Sequence, residues 1–317
     1  MIIKNYLYLL LLYILSIGIL VTSLSNYTRE IINCERDAKS KPCIPPYRNV
    51  LSRFRVNKKY KMNFCTITKN FSTMIRGILC FLDHPGYAKK YQTPISNTKW
   101  TYKYCDDYNF EEKTVDIAKN YTDGSVNKLM KSYTNIVFVR EPIERFISGF
   151  VDKCLIAKDF IKIDPTYCYG CKTNLKCFVN RFYKRIKEQI LFPKRKHTDT
   201  FDDTHFYPQT WHCQLNIYRQ YYTIIKYGTT TESSKIFYKE FFELLKSKKI
   251  PQKQINFIKN GTINKHTPHS TSNKKITSRI TNVIKNSPQI LEKLIRIFYY
   301  DFIEFDYPIP DLPEPTF

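Results

Sequence analysis

Two short stretches of this 317-residue chain carry side chains suited to gripping phosphate or sulfate groups. The first reads Thr66-Ile67-Thr68-Lys69-Asn70-Phe71-Ser72-Thr73, a lysine and several hydroxyls set immediately ahead of the apolar stretch Ser72–Leu82. Where such a stretch is a helix, its free N–H groups and positive dipole end favour an anion. The nucleotide-triphosphate pattern G-x-x-x-x-G-K-[ST] is not met, because no glycine stands here, which argues against a triphosphatase. An exposed turn with a solvated lysine is the plain alternative. The second stretch reads Arg140-Glu141-Pro142-Ile143-Glu144-Arg145-Phe146-Ile147-Ser148. Arg140 and Ser148 are two helical turns apart and together could hold one phosphate through charge-assisted bonds and a hydroxyl. Here the plain alternative is an Arg140–Glu144 pair, with Ser148 at the margin of the core.

Both stretches need elements to hold them. Lys61–Ile67 reads as a strand and Ser72–Leu82 as a buried helix. A second strand begins at Thr134, and its apolar run Ile136-Val137-Phe138-Val139 suits burial on both faces. Pro142 then sits at a first helical position, and Ile143, Phe146, Ile147, Phe150, Val151, Cys154 and Leu155 recur with helical spacing, predicting one amphipathic helix. Further pieces are a strand at Tyr222–Lys226, a helix around Lys239–Lys248, and a C-terminal helix opened by Ser287-Pro288 that carries Ile290, Leu291, Leu294, Ile295 and Phe298. Strands followed by helices imply an α/β fold with a central parallel sheet, whose ligands bind beyond the carboxyl ends of the strands. Both basic stretches fall at such ends.

The N-terminal segment predicts a domain outside the cytosol. Lys and Arg number 51 against 28 Asp and Glu, a net charge of +23, while 43% hydrophobic and 15% aromatic residues supply a sizeable core and exclude a disordered chain. Tyr6–Leu24 is uncharged and long enough, at about 1.5 Å per residue, to cross the roughly 30 Å hydrocarbon layer. This predicts a cytosolic tail at 1–5, a transmembrane signal anchor at 6–24, a stem at 25–59 and a luminal domain at 60–317. A cleaved signal peptide would leave the same residues in the lumen. Luminal topology removes nucleic acid as a partner for the positive charge, part of which AT-rich coding could produce. The ten cysteines are then read as disulfides, and zinc at Cys168, Cys171 and Cys177 is the weaker reading because a second ligand pair is not clearly spaced. Asn26, Asn120 and Asn260 open N-glycosylation sequons, as does Asn70 inside the first basic stretch.

The residues Arg140-Glu141-Pro142-Ile143-Glu144-Arg145-Phe146-Ile147-Ser148 match R-[DE]-P-x-x-R-x-x-S at every fixed position. Through them the chain resembles the membrane-anchored Golgi carbohydrate sulfotransferases, in particular the chondroitin-type sulfotransferase-2 group and its nematode-type branch. Two further segments are similar to family signatures: His205-Phe206-Tyr207-Pro208-Gln209 followed by Cys213, and Phe298-Tyr299-Tyr300-Asp301-Phe302 leading to Phe305-Asp306-Tyr307. The resemblance covers roughly residues 60–308 and departs where Thr68 replaces a frequent proline before the lysine.

The resemblance implies a P-loop-like sulfotransferase fold and transfer of a sulfuryl group from 3′-phosphoadenosine 5′-phosphosulfate to a sugar hydroxyl, with no metal. It implies that Lys69 contacts the 5′-phosphate and the bridging oxygen. Asn70, Ser72 and Thr73 would complete the 5′-phosphosulfate cradle, and Arg140 and Ser148 would bind the 3′-phosphate. A base must take the acceptor proton, and His205 is the candidate, with an ordinary imidazole pKa of about 6.5; a histidine that merely orders its loop is the alternative. Lys265-His266-Thr267-Pro268-His269-Ser270-Thr271 is a candidate to close over the donor. The acceptor implied is an anionic glycan such as a glycosaminoglycan, with Lys184-Arg185 and Lys194-Arg195-Lys196-His197 as candidate groove residues, and the compartment implied is the Golgi membrane with type II orientation. An inactive glycan-binding glycoprotein of the same fold is the competing function.

Overall fold

Residues 34, 42–48, 50–84, 86, 95–97, 110–157, 162–192, 199–265, 271 and 275–313 are described by a computed structural model of the chain. Tyr6–Leu24, the sequon at Asn26, Lys194–His197 and His266–Ser270 lie outside these residues. Among the described residues no helix is long and apolar enough to cross a membrane.

The described strands are β1 (Phe54–Asn57), β2 (Met62–Cys65), β3 (Phe110–Glu111), β4 (Thr134–Val139) and β5 (Tyr222–Lys226), in the sheet order β3-β1-β2-β4-β5. β2, β4 and β5 run parallel, with Phe64 opposite Ile136 and Val137 opposite Ile224. β1 is antiparallel to both β2 and β3, so the sheet is mixed rather than wholly parallel. The cause is the short turn between β1 and β2, where Asn57 Oδ1 accepts from the Tyr60 amide at 2.8 Å and Lys61 takes a left-handed φ of 47°. A connection this short can join only antiparallel neighbours. Residues 54–57, assigned to the stem on sequence, are therefore part of the sheet. Nearby Ile44 and Pro45 are also docked, through the Ile44 amide to the Arg296 carbonyl and the Trp211 indole to the Pro45 carbonyl, both at 2.9 Å.

The described α-helices are α1 (Ser72–Asp83), α2 (Thr114–Tyr121), α3 (Val126–Ser132), α4 (Pro142–Phe150), α5 (Leu175–Leu191), α6 (Phe201–Phe206), α7 (Leu215–Tyr218), α8 (Thr231–Ser247), α9 (Gln252–Thr262), α10 (Lys275–Lys285) and α11 (Pro288–Glu304). They form layers on both faces of the sheet. Phe64, Ile136, Phe138 and Ile225 face α1, α8 and α9 through Ile75, Ile78, Leu79, Phe237, Phe241 and Ile255. Cys65, Val137 and Val139 face the other way, onto Ile117, Ala118, Leu129 and Met130 of α2 and α3. A further core joins α4, α5 and α11 through Phe146, Phe150, Phe178, Phe182, Leu294 and Phe298. β4 is thus covered on both faces, as its unbroken apolar run requires.

The helix after β4 departs from the even spacing read in the sequence. It is α-helical to Phe150 and then widens into a π turn, Val151–Ile156. Apolar spacing alone does not distinguish the two, since Val151 and Cys154 stay buried either way. The disulfides are Cys34–Cys43, Cys65–Cys213, Cys154–Cys168 and Cys171–Cys177, and Cys80 is disulfide-bonded too. Cys168, Cys171 and Cys177 are therefore consumed in bridges and do not form a zinc knuckle. Cys65–Cys213 closes 148 residues, for which loop entropy implies stabilisation of about 5 kcal/mol.

Candidate functional site

The loop from β2 to α1 reverses direction without a glycine. Lys69 and Phe71 adopt left-handed φ values of 70° and 62°, each a strain on the order of 1–3 kcal/mol that surrounding contacts must offset. Those contacts are identifiable. The Asn70 amide group donates to the Phe138 carbonyl at 2.9 Å and to Gln209 Oε1 at 2.6 Å. Thr68 Oγ1 donates to the Thr204 carbonyl at 3.1 Å. The Phe71 ring packs 5.0 Å from Phe237 and 5.4 Å from Tyr227.

The Asn70 side chain is buried and turned into the fold, where it anchors the loop instead of lining the cavity, and its sequon is covered. The other two described sequon asparagines, Asn120 on α2 and Asn260 on α9, are exposed.

The loop from β4 to α4 is assembled conventionally. Pro142 occupies the first turn, and the Glu141 carboxylate accepts from the Glu144 amide. Burial raises the Glu141 carboxyl to about 7. Arg140 is buried, with its guanidinium 3.4 Å from Glu144 Oε2, 3.4 Å from the Lys69 carbonyl and 3.5 Å from Thr229 Oγ1. The Arg140–Glu144 pair proposed as the plain alternative does exist, at the long end of hydrogen bonding. Ser148 Oγ lies 3.0 Å from Thr271 Oγ1.

Three residues to which the sequence reading gave no role lock these loops together. Arg145 is 1% exposed and donates to the carbonyls of Thr68 at 3.1 Å, Tyr207 at 2.9 Å and His205 at 3.3 Å. Burial lowers its guanidinium to about 10. Gln209 accepts from the Arg140 amide at 2.9 Å while its own amide donates to the Arg140 carbonyl at 2.8 Å. Asp301 of α11 accepts the amides of Gln209 and Thr210 at 2.7 and 2.9 Å, and burial raises its pKa. The two C-terminal family signatures thus meet through Asp301 and Gln209, a contact that no local spacing reveals.

The result is one cavity of about 890 Å³ at the carboxyl ends of β2, β4 and β5, lined by Lys69, Ser72, Thr73, Arg140, Ser148 and His205. Every sequence-predicted site residue except Asn70 lines it. So does the segment after β5, Tyr227–Thr231, which the sequence reading passed over; Gly228 is required there because a Cβ would fall 2.1 Å from Ser233 Oγ. Lys69 Nζ contacts Asp152 Oδ2 at 2.8 Å, and burial, opposed by that carboxylate, lowers the ammonium to about 8. His205 is lowered to about 3 by burial, with Lys153 and Lys69 adding to the shift. Its Nδ1 lies 2.7 Å from the Phe201 carbonyl, which can only accept, so Nδ1 carries the proton and Nε2 remains the ring's acceptor. Among the described residues no group of three or more His, Cys, Asp or Glu is arranged to hold a metal ion.

Parallel strands ending at a helix N-terminus, with lysine and arginine converging on one polar cavity, suit the binding of anionic groups. The family model described as "Sulfotransferase family" matches residues 52–308, and the chain belongs to that family. It is 32% identical over 271 residues to the uncharacterized protein C18B2.2 of Caenorhabditis elegans, covering 85% of this chain and 73% of that one. It is 27% identical over 284 residues to the carbohydrate sulfotransferase chst-1 of the same organism, covering 89% and 84%. No solved structure matches.

Proposed function

We propose that the chain, with a P-loop-like sulfotransferase fold, transfers a sulfuryl group from 3′-phosphoadenosine 5′-phosphosulfate to a hydroxyl of a carbohydrate. The observation that carries this reading is the single cavity with two cationic ends. Lys69, Ser72, Thr73 and the α1 N-terminus suit a 5′-phosphosulfate, and Arg140 with Ser148 suits a 3′-phosphate. Adenine then falls toward Tyr227–Thr231. Lys69 offsets the negative charge that develops on the leaving phosphate, and the protein otherwise acts by positioning. His205, neutral and with Nε2 as the ring's acceptor, takes the acceptor proton; burial and then its cationic neighbours depress its basicity, and the negative charge of a bound donor opposes the cationic part.

A glycosaminoglycan-type acceptor is supported by the lysines at the cavity margin, Lys235, Lys239, Lys246, Lys259 and Lys265. Lys184 and Arg185 fit that role less well, since Arg185 is engaged with Asp203 at 2.7 Å and Lys184 with Glu188 at 3.8 Å. The compartment proposed is the Golgi lumen, with Tyr6–Leu24 as a type II anchor. Incubating the full chain with labelled donor and a panel of chondroitin, heparan and neutral glycans tests the proposal. Label on an anionic glycan, with an acceptor KM rising steeply with salt, is expected; label on none, or equal use of a neutral glycan at a flat salt response, contradicts it.

A further inference from the structure

The π turn that follows α4 places a carboxylate where an anion-binding cavity would not be expected to have one. Asp152 is nearly buried, its side chain 4% exposed, and one oxygen, Oδ2, meets both Lys69 Nζ at 2.8 Å and Lys153 Nζ at 3.1 Å. Both lysines and the aspartate line the same cavity as Arg140 and Ser148. A regular α-helix to Leu155, as the apolar spacing suggests, would carry Asp152 and Lys153 round at a different angle; widened turns of this kind recur at functional sites. The turn is fastened at Cys154 by its bridge to Cys168. Burying a charged side chain costs free energy unless it is paired.

We propose that Asp152 is a positioning residue for Lys69: its carboxylate holds the ammonium, charged and aimed into the cavity, until the donor's phosphosulfate takes the lysine over. The inference rests on the donor reading given above. It explains why a lysine buried in a strained loop keeps its proton at neutral pH. Burial alone drives Lys69 down and Asp152 opposes that, while Lys153 on the same turn and Arg140 at the end of β4 add to the depression. Asp152 itself stays ionised although burial resists it, because the two lysines overcome the penalty. Among the described residues, His205 of α6 also feels both lysines, and Tyr167 feels Asp152. In the donor-free state Asp152 thus stands in for the anion; an arriving phosphosulfate competes for the ammonium, and the freed carboxylate retains Lys153.

The test separates Asp152's hold on Lys69 from the donor reading. Competitive acetylation of the full-length protein, read by mass spectrometry at the Lys69 peptide, reports the neutral fraction of that amine without any donor. Asp152→Asn, which keeps the shape, is expected to speed Lys69 labelling at pH 7 about tenfold, since the charged form loses its counter-ion. Lys153→Met is expected to move it the opposite way, slowing labelling about threefold, because a like charge is removed and Asp152 is no longer shared. At pH 6, Asp152→Asn should bind 3′-phosphoadenosine 5′-phosphate about three- to tenfold more tightly while kcat falls about tenfold, a split that a merely structural role does not produce. Should Asp152→Asn fail to fold, the slowing in Lys153→Met decides. Unchanged labelling in either folded variant, or shifts of the same sign in both, overturns the proposal. A parent protein that binds no 3′-phosphoadenosine 5′-phosphate overturns the donor reading and the hand-over alike, while the labelling rates still decide whether Asp152 holds Lys69.

Discussion

The loops after β2 and β4 occupy equivalent places, each at the carboxyl end of a parallel strand and the start of a helix, yet they are held by different means. After β4 the shape is written locally: Pro142 begins the helix and Glu141 caps it from three residues away. After β2 it is imposed from outside, by Phe138, Gln209, Thr204 and Arg145, on a backbone with left-handed residues at Lys69 and Phe71. A tight strand-to-helix loop can therefore be built without glycine where distant anchors replace the missing backbone freedom. The expectation is that the first loop is sensitive to remote substitutions and the second, where Gln209 holds the Arg140 backbone but Pro142 and Glu141 set the helix start, is less so.

Four perturbations break or sharpen that contrast. The largest effect is expected from Lys69→Met, which removes the only cation that the β2 loop itself contributes to the cavity lining. Turnover should fall on the order of 10²–10³-fold with far-ultraviolet circular dichroism unchanged, and a loss below tenfold would take Lys69 out of the transfer step. In the parent, activity that needs the charged ammonium should be full well below pH 8 and lost as pH rises through about 8, because the folded pKa is depressed to that value. A rate that holds flat to pH 10 would contradict this.

Arg145→Met comes next. It strands three buried carbonyls, at roughly 1–3 kcal/mol for each group left unsatisfied, so chemical denaturation should show about 3 kcal/mol or more lost. Asn70→Ala should cost about 1–3 kcal/mol and lower turnover as well, through a loosened Lys69; a stability loss with unimpaired turnover would mean the loop keeps its shape without the anchor. Pro142→Ala, in the locally specified loop, should cost only about 0.4–1 kcal/mol and leave donor affinity unchanged.

The same contrast explains what could be read from the chain. β4 and β5, α1 and the start of α4 were legible because apolar runs, Pro142 and helical spacing are local signals, and Arg140, Ser148, Lys69, Ser72 and Thr73 follow from where those elements end. The hairpin partner β1 was hidden because residues 54–57 sit in a basic, unremarkable stretch with the turn signal carried by Asn57 and Lys61 rather than by glycine or proline. The inward turn of Asn70 was not legible because a polar side chain in a loop faces solvent or ligand far more often than it reaches back to a neighbouring strand. Arg145, Gln209 and Asp301 were unassigned because their partners lie 60 to 92 residues away. Asp152 escaped because its meaning depends on a π turn that apolar periodicity does not report.

In the reading proposed above, two cationic ends of one cavity bind two phosphates of one nucleotide. Calorimetric titration of the full-length protein with 3′-phosphoadenosine 5′-phosphate and with adenosine 5′-phosphate, in the parent and in Arg140→Ala, addresses it directly. The parent is expected to bind the bisphosphate about 100-fold more tightly, as a well-bonded buried phosphate should provide, and Arg140→Ala to lose most of that preference while remaining folded. Equal affinity for the two nucleotides in the parent, or an undiminished preference in folded Arg140→Ala, would contradict it.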